Sequence, residues 1–123
     1  MKKTILIVDD EPALLIALVD KFTRAGFTVI IAENGREGLK LAFKNHPDLI
    51  LLDIIMPIMD GTTMLDKLRK DAWGKHAKVI LLTNLSDPGK ITKSLKRTVN
   101  GYLVKSDWKI KDVVKQVNEK LKE

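Results

Sequence analysis

Four apolar runs along the chain each close on a polar side chain. Ile5-Leu6-Ile7-Val8 ends at Asp9-Asp10, Leu49-Ile50-Leu51-Leu52 at Asp53, Val79-Ile80-Leu81-Leu82 at Thr83, and Tyr102-Leu103-Val104 at Lys105. Unbroken apolar runs of this length between turn residues predict strands buried on both faces of a parallel sheet. They are β1, β3, β4 and β5, and Thr28-Val29-Ile30-Ile31-Ala32 supplies β2. Between the strands the apolar spacing changes to that of helices. Pro12 opens α1, whose stripe is Leu14, Leu15, Leu18, Val19 and Phe22, and Gly26 ends it. Asn34-Gly35-Arg36-Glu37 has the form of a capping box with Asn as the cap, and it opens α2 with Leu39, Ala42 and Phe43 turned inward. Pro47 precedes β3, and Met56-Pro57-Ile58-Met59-Asp60-Gly61 is a loop before α3, marked by Met64, Leu65 and Leu68. Asp87-Pro88 opens α4, with Ile91, Leu95 and Val99 facing in and Lys90, Lys93, Lys96 and Arg97 mostly on the other side. Gly101 precedes β5, and Asp107 caps α5, whose stripe is Ile110, Val113, Val114, Val117 and Leu121. Five βα units with right-handed crossovers give a doubly wound α/β sandwich of three layers around a parallel five-stranded sheet.

The chain's 123 residues suit one domain with one core, spanning 1–123. The absence of cysteine excludes a disulfide framework, a thiolate zinc site and a cysteine nucleophile. The apolar run after Met1-Lys2-Lys3 is too short for a signal-peptide core, and no stretch approaches a membrane span, so the expected location is the cytoplasm. The net charge of +6 is uneven: residues 1–61 carry 7 basic and 9 acidic side chains, and residues 62–123 carry 15 and 7. The excess reads first as a solvated lysine surface, and otherwise as a basic face for an acidic partner or nucleic acid. The basic residues lack interleaved aromatics, which argues against single-stranded nucleic acid as a partner.

In an open parallel sheet, ligands bind beyond the carboxyl ends of the strands. If β1 and β3 are neighbours, Asp9, Asp10 and Asp53 converge there. Two carboxylates about 5 Å apart repel by roughly 3 kcal/mol at an effective dielectric of 20. A hard divalent cation removes that penalty, and Mg²⁺ takes carboxylates, carbonyls, waters and phosphate oxygens. Acids with such an ion, the amine of Lys105 and the hydroxyl of Thr83 would suit a phosphoryl group, with one carboxylate as nucleophile. Each residue taken singly has an ordinary reading as a turn former, cap or solvated charge. The joint placement at the same strand ends is what favours a site.

In Asp9-Asp10, Asp53, Met56-Pro57-x-Met59-Asp60-Gly61, Thr83 and Gly101-Tyr102-Leu103-Val104-Lys105 the chain resembles the receiver domain of two-component response regulators, over nearly its whole length. The resemblance implies a flavodoxin-like strand order of 2-1-3-4-5. It implies that Asp53 is the phosphoacceptor, and that Asp10, Asp53 and the backbone carbonyl of Ile55 hold Mg²⁺, with Asp9 acting mainly through water. Lys105 would pair with the phosphoryl group, Thr83 would be the switch hydroxyl, and Tyr102 the aromatic that turns inward when Thr83 moves. The expected donor is a sensor histidine kinase or a histidine phosphotransfer domain. The expected output is a changed α4-β5-α5 surface that docks a downstream protein of unknown identity. Such a switch catalyses only its own phosphorylation and dephosphorylation. No output domain is expected within these residues.

The chain departs from the family pattern at four places. Ser106 stands where proline usually follows the lysine, which predicts a trans Lys105–Ser106 bond. Asn84 replaces the usual very small residue after the switch threonine, and either narrows access to Asp53 or donates to a phosphoryl oxygen. Ile55 and Leu85, two residues beyond Asp53 and Thr83, are apolar, which predicts a slowly hydrolysed aspartyl phosphate. Three other readings compete. A flavin-binding module shares the topology, but Asp9-Asp10 would repel a phosphate held without metal. A Mg²⁺-dependent aspartyl phosphatase of the haloacid-dehalogenase type needs a second Asp where Ile55 stands. A docking module with this fold but no phosphorylation has no need of the intact acid cluster and Lys105. His46, His76, Trp73, Trp108 and the four methionines read as structural.

Overall fold

The computed structural model describes residues 2–83, 98–105 and 109–123. Its order is β1 (Thr4–Val8), α1 (Pro12–Arg24), β2 (Thr28–Ala32), α2 (Gly35–Asn45), β3 (Leu49–Asp53), α3 (Gly61–Arg69), a 3₁₀ turn (Gly74–His76), β4 (Val79–Thr83), β5 (Gly101–Val104) and α5 (Ile110–Leu121). The five strands are all parallel, in the order β2-β1-β3-β4-β5. The fold is therefore the doubly wound, flavodoxin-like α/β sandwich expected from the sequence.

Successive residues of a strand point to opposite faces, and here both faces are covered. Leu6, Val8, Ile50, Leu52 and Leu81 pack with Ala42 of α2 and with Met64, Leu65 and Leu68 of α3. Ile5, Ile7, Leu49, Leu51, Ile80 and Leu82 pack with Leu15, Leu18 and Phe22 of α1 and with Val113 and Val117 of α5. Each of the larger of these side chains contributes roughly 1.5–3 kcal/mol by leaving water, and Ala42 contributes less. That burial holds the strand ends rigidly against one another.

The helix boundaries follow local chemistry. Pro12 stands at the first position of α1. At its far end Gly26 adopts φ +95, while Gly26 N–H donates to Thr23 O and Phe27 N–H to Phe22 O. This is the Schellman arrangement, completed by an edge-to-face contact of Phe22 and Phe27 with centroids 5.2 Å apart. Asn34 Oδ1 accepts from Glu37 N–H at 2.9 Å, as the sequence predicts for α2. Asp60 caps α3 in the same way, accepting from Thr63 N–H at 2.8 Å.

Three expectations need correction or fall outside the described residues. Phe43 does not face the core and is 39% exposed. At Gly38 α2 lies so close to β1 that an added Cβ would come within 2.9 Å of Val8, so the inward stripe runs through Gly35, Gly38 and Ala42 instead. Val99 lies in the turn before β5 rather than in a helix. The rest of the expected α4, with Asp87, Pro88, Ile91 and Leu95, lies outside the described residues, as do Asn84, Leu85, Ser106, Asp107 and Trp108. The N-cap of α5 is Lys109 and not Asp107: the helix starts at Ile110, and Lys109 N–H donates to Asp112 Oδ2 at 3.0 Å.

The 3₁₀ turn was not legible in the sequence. It is held by Asp71 Oδ2, which accepts from Trp73 N–H and Gly74 N–H, and by Arg69. The Arg69 guanidinium donates to the carbonyls of Gly74, Ala77 and Thr98 at 2.6–3.0 Å, tying the end of α3 to the approach to β5. Burial pulls its pKa below the ordinary arginine value. Trp73 stacks on His46, with ring centroids 4.2 Å apart. Among the described residues no helix is long and apolar enough to cross a membrane.

Candidate functional site

The register of the sheet brings the polar strand ends together. Val8 of β1 is level with Leu52 of β3, so Asp9 and Asp53 leave adjacent strands at the same height. Asp53 in turn is level with Leu82 of β4, and Thr83 with Val104 of β5, so Thr83 and Lys105 close the neighbouring strands. Beyond this backbone placement, the side chain of Thr83 lies outside the described features.

Carboxylate oxygens of Asp9, Asp10 and Asp53 all lie within 4.8 Å of one another. Asp9 and Asp53 are buried and Asp10 is exposed. Asp9 Oδ1 accepts from Glu11 N–H at 2.9 Å, and Asp53 Oδ1 from Ile54 N–H at 2.8 Å. Their other oxygens face the Lys105 ammonium, with Nζ at 2.9 Å from Asp9 Oδ2 and 3.3 Å from Asp53 Oδ2. Asp9 Oδ2 is fully buried, and the Lys105 ammonium is its one close partner among the described residues.

The electrostatics follow from this crowding. Burial, and then the charge of Asp9, push the Asp53 carboxyl up to about 6 despite the opposing pull of Lys105. Burial on its own would lower the Lys105 ammonium, but the short contact with Asp9 and the charges of Asp53 and Asp9 outweigh it, and its pKa rises. The acids thus crowd around one ammonium, and Asp9 Oδ2, an oxygen of the most buried of them, has that ammonium as its one partner among the described residues. Hard carboxylate oxygens gathered this closely, with more negative charge than Lys105 alone offsets, fit a small divalent ion such as Mg²⁺.

The loop after Asp53 brings up the backbone. Gly61 N–H donates to Ile54 O at 2.7 Å, folding the start of α3 back onto the end of β3. Met59 N–H reaches Pro57 O at 2.7 Å across Ile58, whose φ of +69 is costly for a β-branched residue. Ile55 lies in this loop and is 54% exposed. Tyr102 stands on β5, level with Leu81, and is 39% exposed.

The sequence reading missed one participant. Glu11 Oε1 accepts a hydrogen bond from Lys105 Nζ at 3.2 Å. The available signal was a third consecutive acid after β1, two residues beyond Asp9, where a turn returns the chain toward the strand end.

The chain matches the family model described as "Response regulator receiver domain" over residues 5–118. It is 36% identical over 118 residues to the nitrate/nitrite response regulator protein NarL of Escherichia coli (strain K12), covering 94% of this chain and 53% of that protein. The chain therefore spans about half the length of that relative. Among solved structures it is similar to the chemotaxis response regulator CheY4 of Vibrio cholerae, with a TM-score of 0.86 and 28% identity over 98% of this chain and 99% of that one. It shares its fold with the receiver domain of a sensor histidine kinase from Pseudomonas aeruginosa PAO1, at a TM-score of 0.90 and 23% identity over 100% of both chains. That domain was solved with a magnesium ion coordinated in its active site cleft.

Proposed function

The chain belongs to the response regulator receiver domain family, and from that premise we propose that it is a phosphoacceptor switch in which Asp53 takes a phosphoryl group. The donor is a phosphohistidine on a sensor histidine kinase or a histidine phosphotransfer domain. One observation carries this reading: Asp53 Oδ2 lies 3.3 Å from the Lys105 ammonium, within an acid cluster that spans less than 4.8 Å. A buried carboxylate so placed has an amine beside it to neutralise an incoming phosphoryl oxygen.

In the transfer an Asp53 carboxylate oxygen attacks phosphorus, the phosphorus–nitrogen bond of the donor breaks, and its electron pair returns to the imidazole, which then takes a proton from solvent. Asp9, Asp10, Asp53 and the carbonyl of Ile55 would hold Mg²⁺. When bound, the ion supplies charge neutralisation and orients phosphoryl oxygens. Lys105 pairs with the phosphoryl group. The hydroxyl of Thr83 follows it, and Tyr102, half exposed on the neighbouring strand, turns inward behind Thr83. The α4-β5-α5 surface then changes for docking of a downstream protein. No metabolite is turned over, because the group transferred stays on the chain until water removes it.

The test is incubation with Mg²⁺ and a small phosphodonor, read by intact mass. The expected result is a gain of one phosphoryl group that is absent in Asp53→Asn. No gain in the unsubstituted chain favours the phosphorylation-independent docking module. An equal gain in Asp53→Asn refutes the assignment of Asp53.

Hydrolysis should be slow. The side chain of Ile55, solvent-exposed in the loop after Asp53, offers no polar atom to orient an attacking water. Ile55→Asn is expected to shorten the lifetime of the phosphorylated chain several-fold, followed by intact mass after the donor is removed. An unchanged lifetime would show that Ile55 does not limit water.

A further inference from the structure

A surface groove of about 510 Å³ opens where the end of α3 and the 3₁₀ turn meet the approach to β5. Ala77 and Asn100 in its wall stand just before β4 and β5, so it lies at the amino ends of those strands, whereas Asp53 and Lys105 stand at carboxyl ends. Arg69, Lys75 and His76 line it, and no acid among the described residues does. Four of the five Arg69 N–H groups donate to the carbonyls of Gly74, Ala77 and Thr98, which leaves one on Nη2. Those carbonyls satisfy the guanidinium's geometry but bring no net charge, and Arg69 forms no ion pair among the described residues. Lys75 is exposed and likewise forms none. Asn100 is tied to Val79 twice: its backbone N–H donates to Val79 O at 2.7 Å, and its Oδ1 accepts from Val79 N–H at 2.8 Å. The amide is thereby fixed, with its Nδ2 donors unused among the described residues.

We propose that this groove binds a small phosphomonoester. Its phosphate oxygens accept from Asn100 Nδ2, from Lys75 Nζ and from the remaining N–H of Arg69, and its organic part covers Ala77 and Val99 in the groove wall. A phosphate suits the groove better than a carboxylate, because it brings close to two negative charges and three acceptor oxygens to two cations and three donor groups. The volume is that of a small-ligand site. Bound there, the ligand supplies the counter-charge that the carbonyls around Arg69 lack. It also adds a second bridge between the 3₁₀ turn and the turn before β5, beside the one that Arg69 makes. This site needs no metal and does not depend on the reading of Asp53 as phosphoacceptor.

The test titrates the chain with phenyl phosphate, in EDTA and at constant ionic strength, and follows ¹H–¹⁵N NMR shifts. Saturable shifts are expected at the side-chain amide of Asn100 and at the backbone N–H groups of Lys75 and His76, with those of Asp9, Asp10 and Asp53 unmoved. Inorganic phosphate should shift the same groups but bind more weakly, since it has no organic part to cover Ala77 and Val99. Asn100→Asp keeps the acceptor that Val79 N–H needs while replacing the donor by a negative charge. It should bind phenyl phosphate at least about tenfold more weakly. Lys75→Met, at an exposed position, should weaken binding about three- to fivefold, the range for one exposed ion pair. Shifts that rise without saturating would overturn the proposal, as would binding that both substitutions leave unchanged. Saturation centred on Lys105 would place the anion at the acid cluster instead and overturn it too. Shifts at Lys75, His76 and Asn100 that a DNA duplex causes and neither phosphate compound does would make the groove a nucleic-acid contact and not a small-molecule site.

Discussion

Gly61→Ala is expected to destabilise the chain by about 3 kcal/mol or more, at the upper end of what overpacking costs. A Cβ on Gly61 would overlap the carbonyl oxygen of Asp53, and would stand 2.9 Å from its carbonyl carbon and 3.0 Å from Ile54 Cα. All three are backbone atoms, so no side chain can swing aside. Retreat of α3 would break the 2.7 Å hydrogen bond from Gly61 N–H to Ile54 O and withdraw the buried Met64, Leu65 and Leu68 from the core. The glycine is required by close approach and not by a left-handed backbone, since Gly61 is not among the positive-φ residues. Denaturant unfolding monitored by circular dichroism checks the value, and a loss below about 1 kcal/mol would show that the β3–α3 junction is slack. Whatever Gly61→Ala protein remains folded should also accept phosphoryl poorly, because displacing Asp53 by an ångström can cost about a hundredfold in rate.

Asp53→Asn should do the opposite to stability, and in a pH-dependent way. The Asp53 carboxyl titrates near 3.8 when unfolded and at about 6 when folded. Between those values the folded chain holds the proton more often than the unfolded chain, so this group's contribution falls as pH rises through that window and is fully lost above it. A difference of roughly two pKa units corresponds to a penalty of up to about 3 kcal/mol at neutral pH. Asparagine carries no charge to bury and escapes it. Without added metal, Asp53→Asn is therefore expected to be more stable than the unsubstituted chain at pH 7.5, by an amount approaching that figure, with the gap closing toward pH 4. Added Mg²⁺ should narrow the gap at pH 7.5, because an ion bound only by the folded state stabilises it. Thermal unfolding of both proteins across pH 4–8 measures this, and an advantage that grows toward low pH would contradict the strained state of Asp53.

The two effects fall on residues whose place the sequence marked but whose energetic cost it did not. Asp53 reads as the polar end of an apolar run, and Gly61 as one more loop glycine. The runs themselves were legible because a strand buried on both faces must be continuously apolar, so its last polar residue declares where the sheet ends. The helix stripes were legible for the same reason of burial, as Leu15, Leu18 and Phe22 show in α1. Phe43 was misjudged because spacing on α2 says which residues share a face, but not that Gly38 would draw the helix against Val8 and set the contact line elsewhere. Glu11 was missed because the run of three acids after β1 shows only that it stands near the strand end, while its partner lies 94 residues away.

The order of residues along this chain decided its five strands, the type of layer that covers them, and which side chains stand at the strand ends. These follow from local hydropathy and backbone preference, which act over a few residues at a time. Only the folded arrangement decided that Asp9 and Asp53 share one level on neighbouring strands, that burial and then the charge of Asp9 raise Asp53 to about 6, and that Glu11 shares Lys105 with them. Those outcomes depend on distances between residues remote in the chain, and charge and desolvation act through space rather than along the backbone.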